Sequence, residues 1–124
     1  MANYIDGFVF PINRVYVNEY KKEAEKVAKI WKEYGAISYF EYAGDDMMME
    51  GALSFNDVLQ AKENELIIFG WMVFPSKKIR DEAFKKVVAD QRMNVIIDKL
   101  IHPDRMIFDS KKMVYGGFKP FLEI

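Results

Sequence analysis

Met113-Val-Tyr-Gly-Gly-Phe-Lys-Pro-Phe121 decides how this chain closes. Val114, Tyr115 and Phe118 are strand formers, Gly116 and Gly117 interrupt them, and Pro120 stops the run. A glycine pair inside a strand marks a bulge, a sharp bend or a close backbone approach. The opening stretch, Tyr4-Ile-Asp-Gly-Phe-Val-Phe10, has a similar glycine beside a lone acid. With a period of two, Tyr4, Asp6, Phe8 and Phe10 share one face, and Ile5, Gly7 and Val9 the other.

Between these stretches the pattern alternates strand and helix. Pro11 ends the first strand, and Asn13 can cap a helix spanning about residues 14–34. Tyr16, Tyr20, Ala24, Val27, Trp31 and Tyr34 form its apolar stripe, and the lysines and glutamates between them form a solvated face. Gly35 is placed as its C-terminal cap. Ala36–Tyr42 is a second strand, with Ile37, Tyr39 and Glu41 on one face. The 43–60 segment then changes character, from a polar turn at Asp45 and Asp46 to three methionines and a capping-box spacing at Ser54–Asp57. Met47–Met49 suit a lid or a dimer arm.

Glu65–Phe74 is continuously apolar, which predicts an internal strand covered on both faces. Ser76 and Asp90 can each cap a helix, and Met106–Phe108 with Lys112–Tyr115 predict the last strand region. The order is β-α-β, an excursion, then β-α-(α)-β. It predicts one α+β domain over residues 1–124, a ferredoxin-like β-α-β-β-α-β unit with extra short helices and an insertion at 43–60. Helices cover only one face of such a sheet. Ten Phe, seven Tyr and two Trp are too many for one small core, so the spare aromatics can cover the other face in a symmetric homodimer. A pocket for a small apolar or aromatic ligand is the second use for them.

The 124 residues carry 18 basic and 19 acidic side chains, which gives no general drive toward DNA. RNA ranks last among partners, because no basic-aromatic module is present. The absence of cysteine removes disulfides, thiolate nucleophiles and cysteine metal sites, and it fits a cytoplasmic setting. Neither a signal peptide nor a membrane span is read from the apolar runs.

Six motifs give a resemblance across nearly the whole chain: Tyr4-Ile-Asp-Gly-Phe8, Trp31-Lys-Glu-Tyr-Gly-Ala36, Gly44-Asp-Asp46, Phe69-Gly-Trp-Met-Val-Phe-Pro75, Asp90-Gln-Arg-Met93 and Met113-Val-Tyr-Gly-Gly-Phe118. The chain resembles the DUF1428, or YbaA-like, family of small bacterial proteins of uncharacterised function. That family is similar to the dimeric α/β-barrel group, in which two ferredoxin-like sheets close into one barrel. The resemblance implies a dimer and a cavity between sheet and helices. Quinone-forming monooxygenases and haem-degrading enzymes belong to the same group, but no Asn-Trp-His set transfers onto this chain. No cofactor and no metal site are therefore assigned.

The candidate catalytic residues are Asp6, His102 and Tyr115. On an aromatic face, Asp6 is either a partly buried base or an acid paired with Arg92 or Arg105. His102 is the sole histidine, beside Pro103 in a loop, with no orienting acid identified. Tyr39, Phe69 and Trp71 either line a ligand pocket with Tyr115 or pack at the dimer face. Arg80 and Arg92 could each hold an acidic group by paired hydrogen bonds; Arg80, beside Asp81 and Glu82, is more simply a solvated surface residue, and Arg92 is the candidate retained. Two functions follow: a dimeric structural or small-apolar-ligand-binding protein, or a cofactor-free monooxygenase-like enzyme acting on an aromatic or activated metabolite.

Overall fold

Strand β1 covers Tyr4–Asn13 and, after a 3-10 turn at Arg14–Tyr16, runs into α1, Val17–Glu33. Then come β2 (Ser38–Ala43), α2 (Phe55–Val58), β3 (Glu65–Phe74), α3 (Lys77–Val88) and α4 (Gln91–Leu100). A second 3-10 turn, Ser110–Lys112, leads into β4, Val114–Phe118. These elements come from a computed structural model that describes residues 3–124.

The strands form one sheet in the order β2-β3-β1-β4, and every neighbouring pair is antiparallel. This is a ferredoxin-like arrangement. The closed barrel expected from the resemblance is not formed, because the sheet is open. β1 and β3, ten residues each, hold its middle, while β2 and β4 pair only inward and leave both edges free. With six and five residues on opposite edges, β2 and β4 share no register through which the sheet could close.

Register fixes which side chains share a face. Asp6 lies opposite Met72 and Gly117, and Phe8 opposite Gly70 and Tyr115. Glu41 lies opposite Gly70, and Tyr39 opposite Met72. All of these residues stand on the helix-facing side. The core there joins Phe8, Phe10, Ile12 and Phe74 of the sheet to Trp31, Val87, Met93 and Leu100 of the helices. Full burial of such a side chain contributes about 1.5–3 kcal/mol.

The other side carries Phe40, Tyr42, Phe69 and Trp71. The strand pattern predicted cover on both faces of β3, yet Phe69 is 44% exposed. Cover on that side comes at one end, where Leu59, Met47 and Ala61 pack on Val9 and Ile67, and from Phe55, whose ring lies edge-on to Phe69 at 5.8 Å. Met48 and Met49 point into solvent.

Helix ends follow the side chains expected to cap them. Ser76 accepts from the Ile79 N–H at 3.2 Å, and Asp90 from the Arg92 N–H at 2.8 Å. Gly35 has φ +126°, a conformation side chains resist, and a Cβ there would press on Ile79. The last strand is shorter and later than expected. Phe108 makes only an isolated bridge to Ile12, and the true strand begins at Val114. No helix among the described residues is long and apolar enough to cross a membrane.

Candidate functional site

Two carboxylates stand on the helix-facing side of the sheet, and they are held in different ways. Asp6, in the central strand β1, is fully buried. A carboxylate out of water needs donors for its lone pairs. Arg80, near the start of α3, supplies them: its Nε donates to both Asp6 oxygens, at 2.9 and 3.2 Å. The Tyr115 hydroxyl, reaching over from the edge strand β4, donates to Oδ2 at 2.6 Å. The expected partners Arg92 and Arg105 are elsewhere. Arg80 also donates through Nη1 to Asp81 at 2.8 Å, and its guanidinium lies 5.1 Å from the centre of the Tyr4 ring.

The glycine pair now has a specific meaning. Gly117 is paired opposite Asp6, and a Cβ on it would run into Arg80 Nη2 and the Tyr4 hydroxyl. The strand continues in register through both glycines, so they do not form a bulge. The close approach at Gly117 is made by Arg80, which reaches Asp6, and by the Tyr4 ring beside it.

Charges follow from this geometry. Burial, the hydrogen bond to Asp6 and the Asp6 charge together raise the Tyr115 pKa, so its phenol stays protonated. Burial opposes the Arg80 charge, but its hydrogen bonds to Asp81 and Asp6 outweigh that and raise its pKa. An open cleft of about 440 Å³ lies over this group, lined by Arg80, Asp81, Phe84, Lys85 and Tyr115.

Glu41 on β2 is the second carboxylate. Tyr20 of α1 donates to its Oε1 and Tyr39 to its Oε2, both at 2.5 Å. No cation pairs with it among the described residues. Burial therefore raises its pKa, and the two hydroxyls only partly offset that. The Tyr39 pKa is raised by burial, by the charge and hydrogen bond of Glu41, and by Tyr115. The Tyr39 ring packs 6.0 Å from Phe8. Tyr115 and Tyr39 thus lean inward from opposite edges of the sheet.

The structure brings Asp6, Tyr115 and Tyr39 to one face. Phe69 and Trp71 stand on the other, in an aromatic group with Phe40 and Tyr42 at ring separations of 4.9–6.0 Å. Those four do not line a pocket with Tyr115. Arg92 sits at the solvent-exposed start of α4, held by Glu33 at 2.6 Å and Asp90 at 2.8 Å. Asp90 also accepts from Tyr34 at 2.6 Å. His102 lies in the exposed loop after α4, where its Nδ1 accepts from the Asp104 N–H at 3.2 Å.

Glu41 and Gly117 went unread in the sequence as site residues, and Arg80 was set aside as solvated surface. For Gly117 the signal was present in the glycine pair. For Glu41 it was an acid sharing a strand face with Tyr39. For Arg80 the guanidinium itself was the signal, but its neighbours Asp81 and Glu82 made it look solvated.

Fold and site together define a ferredoxin-like α+β protein with an open sheet and a polar group beneath α3. Residues 3–110 match the family described as a protein of unknown function, DUF1428, and the chain belongs to that family. It is 34% identical over 120 residues to the uncharacterized protein YbaA of Escherichia coli strain K12, covering 97% of each chain. Among solved structures it is similar to a dimeric ferredoxin-like protein from an uncultured marine organism, with a TM-score of 0.66, 9% identity and full coverage of both chains. It is also similar to SnoaB, a cofactor-independent oxygenase from Streptomyces nogalater, with a TM-score of 0.61, 11% identity and coverage of 98% and 96%. At such identities the structural likeness concerns the fold alone.

Proposed function

We propose that this protein binds a small apolar or aromatic molecule in the cleft between β4 and α3, and that it works as a homodimer. The observation that carries the binding role is the Arg80–Asp6–Tyr115 group at the cleft floor. In this reading Asp6 positions the other two. It sits behind them, fully buried, and fixes the Arg80 guanidinium and the Tyr115 ring where a ligand meets them. Phe84, 48% exposed, offers an apolar wall beside them. The exposed aromatic group on the opposite face supports the dimer, since an apolar patch of that kind is stabilised by a second copy.

A second reading, a cofactor-free monooxygenase-like enzyme, is favoured by Glu41. A carboxylate between two phenols, with no cation to neutralise it, holds its proton more tightly than usual and suits acid–base work.

The binding role is tested by titrating isotope-labelled protein with small aromatic compounds such as 2-naphthol and following backbone amide shifts. Shifts should cluster at Phe84, Lys85 and Tyr115, and Tyr115→Phe should weaken binding about threefold by releasing the ring from Asp6. Shifts confined to Phe69 and Trp71 would move the ligand to the other face and refute the cleft assignment.

A further inference from the structure

Arg80 has hydrogen-bonding capacity left over. Its Nε is committed to Asp6 and one Nη1 hydrogen to Asp81, but Nη2 has no acceptor among the described residues. Nη2 is held over Gly117, beside the Tyr4 hydroxyl. Lys85, one helical turn and one residue further along α3, lines the same cleft and makes no ion pair among the described residues. The other walls are the faces of Phe84 and Tyr115. The cleft therefore has two aromatic rings and two cationic donors.

One acidic group lines the same cleft. Asp81 accepts from Arg80 Nη1 at 2.8 Å and lies 3.5 Å from Lys77 Nζ. Asp6 balances Arg80 from behind, and Lys77 balances Asp81, which leaves Lys85 as the uncompensated charge. An occupant bearing one negative charge neutralises that surplus, whereas a second charge meets Asp81. An anionic oxygen also suits the uncommitted Nη2 donor.

We infer that the ligand of this cleft is an aromatic monoanion, an arene carboxylate or its equivalent, with its ring against Phe84 and Tyr115 and its oxygens between Arg80 Nη2 and Lys85. This inference rests on the binding role proposed above and names the class of molecule. Gly117 becomes a determinant of specificity, because a Cβ there would displace the Arg80 side chain that lines the cleft.

The test compares 2-naphthoate with its uncharged isostere 2-naphthamide by calorimetry and amide shifts, on wild type and on Lys85→Glu. The lysine is on the surface of α3, so its reversal leaves the fold intact. Naphthoate should bind wild type about tenfold more tightly than naphthamide at low salt, a gap that closes in Lys85→Glu and narrows as salt rises. If both compounds bind equally at Phe84 and Tyr115, the anionic class is refuted while the apolar cleft survives. If neither binds, the cleft assignment and this inference fall together. A gap that persists in Lys85→Glu overturns the role given to Lys85.

Discussion

The two faces of this sheet are made by the same four strands and differ in almost everything else. On the helix side, large apolar side chains are buried, and the two carboxylates among them are fully engaged by Arg80 and three tyrosines. On the open side, Phe40, Tyr42, Phe69 and Trp71 stack on one another with little above them. Alternation with a period of two is what separates them. Polar chemistry is concentrated where water is excluded, and apolar surface is left where water has access. In the proposed reading, burial on one side serves the site and exposure on the other serves association.

The most forceful way to break the contrast is Asp6→Ala. It leaves a largely buried Arg80 without its main partner and strands the Tyr115 hydroxyl. The expected cost is about 3 kcal/mol, read from urea denaturation. A loss below about 1 kcal/mol would mean that Arg80 turns readily to solvent and that Asp6 does not hold the group together.

A smaller effect comes from pH. Glu41 has a folded-state pKa above its ordinary value of 4.5. Its contribution is fully present below the unfolded pKa and declines as pH rises through the folded one. Thermal midpoints of wild type should therefore show a falling component above pH 4.5 that Glu41→Gln lacks. Asp90 titrates with the opposite sign. The hydrogen bonds from Arg92 and Tyr34 depress its pKa, so its contribution is present above the ordinary carboxylate range and lost on acidification. Identical pH slopes in wild type and Glu41→Gln would remove the special status of Glu41.

The smallest effect on stability belongs to the open face. Trp71→Arg should cost about 1 kcal/mol in the isolated chain, because it removes the stacking on Tyr42 and Phe40 but leaves the helix-side core untouched. The same substitution should shift sedimentation at micromolar concentration from dimer to monomer. A wild type that sediments as a monomer would sharpen the contrast differently, leaving the aromatic face for some other partner.

Much of this arrangement was legible in the residues. Strand periodicity put Asp6 among Tyr4, Phe8 and Phe10, and the caps at Asn13, Ser76 and Asp90 set the helix starts within a few residues. The partner of Asp6 was not legible. Arg80 is 74 positions away, and only the docking of α3 onto the sheet brings it there. Arg92 looked like the better candidate because a local cap precedes it, yet that cap and Glu33 are what occupy it. The barrel was an inheritance from resemblance, and the local pattern says nothing about how sheet edges meet. Tyr39, Phe69 and Trp71 were grouped as aromatics, although pairing register places Tyr39 on the face opposite the other two.

Strand β4 has a kinetic consequence. It is five residues long, lies at the edge of the sheet and is bonded along one side only, to β1. Edge segments of this kind open locally at a free-energy cost well below that of global unfolding. Tyr115 and Gly117 both ride on it. Peeling β4 away would uncover Asp6 and withdraw its Tyr115 donor, while β1, β3, the helical layer and the Asp6–Arg80 pair stayed in place. For the ligand proposed above, the cleft thus has a wall that can come off by itself while the rest of the protein stays in place.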